Sequence, residues 1–129
     1  MSYRTTRLAL EKSLTSPTTT IPPEVYEYRY VKLKIRADSV VSELWVYIGR
    51  ERDYLLIPGL YCNCKVFTLK TIINKTETHC KHQLGVYAAI AMQKYVEVEL
   101  SIDEAYTVIS EVLNKGFTVF LRRKLVARK

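Results

Sequence analysis

Three cysteines and one histidine fall into two close pairs, Cys62-Asn63-Cys64 and, after fifteen intervening residues, Cys80-Lys81-His82. No other cysteine occurs among the 129 residues. An odd number, with two members one residue apart, is a poor basis for a disulfide framework and favours a reducing, intracellular setting. In an extended segment, residues two apart point the same way at about 6.6 Å along the chain, so two thiolates can lean onto one ion at a metal–sulfur distance of about 2.3 Å. Cys62 and Cys64 suit that arrangement. Cys80 and His82 would point to nearly opposite sides of a helix interior, so they are expected to straddle a helix start. There the first-turn N–H groups and the positive end of the helix dipole favour a thiolate. Three sulfurs and one imidazole nitrogen fill a tetrahedron, which predicts one structural zinc ion with no position left for a reacting water. His79 is an alternative nitrogen ligand or a solvated neighbour.

The flanking sequence predicts an α+β fold. Residues Tyr3 to Leu14 can form a short helix, giving an N-terminal segment 1–15, and the Thr/Pro stretch 16–23 reads as a linker. The compact domain, 24–129, is expected to begin near Glu24. From Val25 to Arg36 the period is two, with Val31, Leu33 and Ile35 on one face and Lys32, Lys34 and Arg36 on the other. Tyr26, Tyr28 and Tyr30 share the cationic face unless a bulge near Tyr30 turns them inward. A turn at Ala37 to Ser39 leads to a strand over Glu43 to Ile48, and a third strand spans Tyr54 to Ile57 before Pro58-Gly59. A covering helix is expected over Thr78 to Lys94, with Leu84, Tyr87, Ala88, Ala91 and Met92 inward. Ser101-x-x-Glu104 has the capping-box pattern for a second helix, with Ala105, Val108, Ile109, Val112 and Leu113 inward and Gly116 at its end. Phe117 to Val126 fits either a last strand or an irregular tail. The expected architecture is a small antiparallel sheet, a zinc-binding loop leading into a covering helix, and a further C-terminal helix.

The pattern Cys-x-Cys, spacer, Cys-x-His resembles the SWIM zinc finger. Phe67, three residues after Cys64, matches the family's Cys-x-Cys-x-x-Phe, and Cys80-Lys81-His82-Gln83-Leu84-Gly85 is similar to its Cys-Lys-His segment. Gly85 stands where the Shu-complex subfamily carries Ala. The likeness covers about Tyr54 to Met92. It implies Cys62, Cys64, Cys80 and His82 as ligands, binding to DNA or protein rather than catalysis, and a role in homologous recombination beside a RecA-family recombinase paralogue.

The net charge of +7 is concentrated at one end: Lys115 to Lys129 holds six basic residues and no acidic one. Two surfaces are therefore candidates for contact with DNA, single-stranded DNA in particular: Tyr28, Tyr30, Lys32, Lys34 and Arg36 on the first strand, and Arg122, Arg123 and Lys124 in the tail. A protein-interaction subunit that never touches nucleic acid is the alternative. A zinc hydrolase or deaminase would need an open coordination position and a His-x-Glu arrangement. The run Leu84 to Met92 is far shorter than the roughly 20 residues that span a bilayer. A soluble protein of the cytoplasm or nucleus is expected.

Overall fold

The computed structural model describes residues 21–64 and 80–127. The expected helix over Tyr3 to Leu14, most of the Thr/Pro stretch, Phe67 and His79 lie outside them. A short helix α1 (Pro23–Tyr26) is followed by strands β1 (Tyr30–Ala37), β2 (Val40–Ile48), β3 (Asp53–Ile57) and β4 (Tyr61–Cys62). Helix α2 (Lys81–Met92), strand β5 (Val96–Ser101), helix α3 (Ile102–Lys115) and helix α4 (Val119–Ala127) complete the fold. The fold is α+β, built on a five-stranded open sheet in the order β4-β3-β2-β1-β5.

The predicted strand from Val25 is shorter than expected. Pro23 at the first helical position presets φ for α1, and Tyr28, at φ +57°, turns the chain before Tyr30 enters the sheet. Ile21, just upstream, packs against the core. The β1–β2 hairpin is as expected, with Ala37 opposite Val40 and Asp38 in the left-handed conformation that a short polar side chain tolerates.

The expectation missed β5. Val96, Val98 and Leu100 alternate with Glu97, Glu99 and Ser101, a period-two signal present in the sequence. This strand pairs parallel to β1, Val31 opposite Val96, so the sheet is mixed rather than purely antiparallel. It also pairs the edge of β1 that β2 leaves open. Val31 and Leu33 join Val46, Leu55, Val98 and Leu100 in a core closed by Ala105, Val108 and Val112 of α3 and Leu121 of α4. On the opposite face Tyr30, Trp45, Leu56 and Cys62 pack against Val86, Ala88 and Ala89 of α2. Two helical layers thus enclose the sheet, and α2 covers only the half nearer β4.

Helix α3 begins as predicted: the Ser101 hydroxyl accepts from Glu104 N–H, and the Glu104 carboxylate accepts from Ser101 N–H. Leu113, expected inward, is exposed. The segment after Gly116 is neither strand nor irregular tail but α4. Its first turn is organised by Thr118, whose hydroxyl accepts from Leu121 N–H, and by Glu111, whose Oε1 accepts from Thr118 Oγ1 and Phe120 N–H. No helix among the described residues is long and apolar enough to cross a membrane.

Candidate metal centre

Cys62, Cys64, Cys80 and His82 converge as the sequence spacing predicts. All four are buried, and their ligand atoms lie within 4.8 Å of one another. His82 Nδ1 is 3.7 Å from Cys62 Sγ and 4.0 Å from Cys80 Sγ. A tetrahedral zinc site of ordinary bond lengths has S···N edges of about 3.6 Å and S···S edges of about 3.8 Å. The cluster is therefore close to the size a single metal ion requires, and the four residues could hold one.

Each ligand pair has its own support. Between the two cysteines of the first pair, Asn63 extends the sheet: its N–H donates to Leu55 O at 3.2 Å, and its side-chain Oδ1 accepts from Leu55 N–H at 2.8 Å. Both thiols are thereby held toward α2. The second pair does straddle a helix start. Cys80 is the extended N-cap residue of α2, at φ −103° and ψ 174°, and Leu84 N–H makes the first helical bond to its carbonyl. The helix begins at Lys81.

The buried face of α2 also differs from the expected one. Ala88 is buried as expected, but His82, Gly85, Val86 and Ala89 also point inward, while Leu84, Tyr87 and Met92 are half-buried and Ala91 is exposed. Apolar residues surround this helix, so hydrophobicity alone does not select a face. The orientation instead follows two requirements, that His82 meet the cysteines and that Gly85 admit Tyr30. The His82 ring is wedged against Tyr47 and Tyr54, with ring centroids 4.8 and 4.6 Å away.

One supporting residue was not singled out in the sequence. Gln83 is fully buried; its Oε1 accepts from Gly59 N–H at 2.9 Å, and its Nε2 donates to Ile57 O at 3.1 Å and Tyr61 O at 2.6 Å. One amide thus ties α2 to the turn that carries Cys62. Its signal was only positional, a polar residue beside a ligand histidine.

The Cys62 and Cys80 thiol pKa values are raised by neighbouring thiols and by burial. Hydrogen bonds with Cys64 and Cys80, then burial, push the Cys62 thiol far up. For Cys80 the bond with Cys62 lowers the value, but the bond with Cys64 and burial outweigh it and raise the thiol to about 11. A divalent ion would supply the positive charge that ionises buried thiols together. A cavity of about 830 Å³, walled partly by Tyr47, Tyr54, Arg50 and Lys81, reaches Cys64, Cys80 and His82 and offers a route in from solvent.

The residues expected to meet nucleic acid fare differently. Tyr30 is only 1% exposed, a correction to its expected place on a stacking surface: it sits beneath α2 against Tyr47. Burial above all, with Tyr47 next, raises its phenol pKa. Lys32 pairs with Glu43 at 3.2 Å, Lys34 with Glu97 at 2.8 Å and Arg36 with Glu99 at 2.7 Å. Two of those acids come from β5. Tyr28 is exposed, with Lys94 Nζ 5.5 Å from its ring centre and 5.8 Å from that of Tyr26. Arg122 is held by buried Asp53, and Lys124 by Glu104. Of the three tail cations, Arg123 alone has no ion-pair partner among the described residues.

Searches against protein-family models, curated proteins and solved structures found no match to this chain.

Proposed function

We propose that this chain is a zinc-stabilised, non-catalytic interaction module. The observation that carries the reading is the buried Cys62–Cys64–Cys80–His82 set, which offers one ion four protein ligands. Zinc is the metal favoured by three thiolates and one imidazole in a compact, near-tetrahedral cluster. When bound there, zinc supplies cross-linking free energy, on the order of 10 kcal/mol or more in small zinc modules, and no coordination position for chemistry. The protein's own residues do the rest: Asn63 aims the first pair, the N-terminus of α2 aims the second, and Gln83 fixes their separation.

Of the two kinds of partner, the pairing of Lys32, Lys34, Arg36, Arg122 and Lys124 with acids favours protein over a nucleic-acid backbone. The SWIM-like ligand spacing keeps a second reading, contact with single-stranded DNA beside a RecA-family recombinase paralogue in homologous recombination. Exposed Tyr28 beside Lys94 and unpaired Arg123 are the structural features that favour it.

Metal analysis of the purified protein tests the zinc claim. One zinc per chain is expected, lost on Cys80→Ser or His82→Ala together with a large fall in melting temperature. Full zinc content and unaltered melting in both variants would overturn the ligand set. Binding of single-stranded DNA that weakens on Tyr28→Ala and Arg123→Ala would favour the second reading over the first.

A further inference from the structure

Helix α4, which packs into the core cluster that does not contain the cysteines, carries a separate feature. An apolar groove of about 390 Å³ runs along α4, lined by Phe117, Val119, Arg122, Arg123, Val126 and Ala127. Val126 is 70% exposed and Phe117 38%, unusual for side chains that lie close together on one helix and its approach. The floor presents hydrocarbon, so it suits apolar side chains rather than bases or sugars.

The charge around this floor is one-sided. Arg122 lies over the Phe117 ring, its guanidinium carbon 4.8 Å from the ring centre, with its polar edge turned to Asp53. Arg52 lies against Gly116, immediately before Phe117, near enough that a β-carbon there would come within 2.9 Å of its Nε. Neither Arg52 nor Arg123 has an ion-pair partner among the described residues. Of the acids near this floor, Asp53 is engaged by Arg122, and Glu111 by Thr118 and Phe120. An apolar trough with uncompensated cations at its rim is complementary to apolar side chains flanked by carboxylates.

We propose that the α4 groove docks an acidic amphipathic segment of a partner protein, with its apolar face on Phe117, Val119 and Val126 and its carboxylates at Arg123 and Arg52. This deepens the interaction-module reading and rests on it, since it names the surface such a module would use. A phosphate backbone would find the same cations but no use for the floor.

The probe is a fluorescent amphipathic peptide with leucines along one helical face and glutamates beside them, titrated against the full-length, zinc-loaded protein. Its lysine-for-glutamate counterpart and a single-stranded oligonucleotide serve as competitors. Saturable binding is expected, with amide chemical-shift changes concentrated at residues 117–126, and Arg123→Glu or Val126→Asp should weaken it at least about tenfold without changing the melting temperature. No binding, equal binding of the lysine peptide, shift changes elsewhere, or displacement by the oligonucleotide would each overturn the proposal. A folded, zinc-loaded protein that ignores the peptide removes the groove alone, whereas a protein without zinc removes the reading it rests on.

Discussion

Gly85 of α2 lies against Tyr30 of β1 so closely that a β-carbon at 85 would fall within 2.6 Å of Tyr30 Cζ and nearer still to the hydroxyl. This contact sits beside the metal cluster and sets how near the helix comes to the sheet. It also accounts for glycine at this position. Tyr30 fills the space that an alanine methyl would need.

Gly85→Ala is therefore expected to destabilise the protein despite alanine's better helix propensity. The propensity gain of about 1 kcal/mol is set against overpacking of roughly 1–3 kcal/mol, because Tyr30 is itself fully buried and has nowhere to move. Urea unfolding of Gly85→Ala, Tyr30→Phe and the double variant checks this. The double variant should be more stable than the sum of the single losses predicts, since removing the hydroxyl relieves part of the clash.

Gln83 makes a separate prediction about metal affinity. Gln83→Leu keeps the volume but removes the bonds to Gly59 N–H and to the Ile57 and Tyr61 carbonyls, at about 1–3 kcal/mol for any group left buried and unsatisfied. All four ligands remain in the chain. Competition with a chromogenic chelator should show unchanged zinc stoichiometry but affinity lowered by about 10–100-fold, as for residues that orient ligands in other metal sites. Unchanged affinity would mean that the ligands are positioned without this amide.

The Arg122–Asp53 pair distinguishes a structural cation from a binding one. Asp53 is fully buried and accepts from Gly49 N–H, Thr118 N–H and the Arg122 guanidinium, which also donates to Gly49 O. Removing one partner strands the other charge, so Arg122→Met should cost about 3–5 kcal/mol. Arg123→Met, one residue along and without an ion pair, should stay within about 0.5 kcal/mol of the parent. Chemical denaturation of both separates the two roles.

The Cys62–Cys64–Cys80–His82 cluster was legible because its chemistry is local: two pairs, each read by spacing. The hairpin and the capped start of α3 were legible for the same reason, since Asp38 and the Ser101–Glu104 pair act within a few residues. What escaped depended on distant segments. Strand β5 alternates in the sequence, yet its value to the fold is that it pairs the free edge of β1 and brings Glu97 and Glu99 to Lys34 and Arg36. Those pairings turned an apparent cationic face into a neutral ladder. The inward face of α2 was read only in part, Ala88 being buried, because hydrophobicity surrounds the helix and only Tyr30 and the cysteines, far away in sequence, choose a side. The Phe117 to Val126 segment was ambiguous because its helix start is organised by Glu111, on a different helix.

Glu104 gives the prediction for pH. The bond from Lys124, then that from Ser101 N–H, hold its carboxyl below the ordinary carboxylate value. A folded-state pKa below the unfolded one contributes stability that is present above the unfolded value, near 4.5, and lost as pH falls through the lower folded value. Part of the acid destabilisation should therefore belong to this site. Lys124→Met is expected to shrink the stability difference between neutral pH and the acid side of that range, and Glu104→Gln to shrink it further. Glu104→Gln removes the titrating group, but its amide oxygen can still accept from Ser101 N–H, so the cap itself is kept. The pair is half exposed, so the effect is small and screened by salt. Denaturation curves of the three proteins at neutral and acid pH, in low salt, measure it; parallel pH dependence in all three would mean that the cap and the ion pair contribute nothing to acid sensitivity.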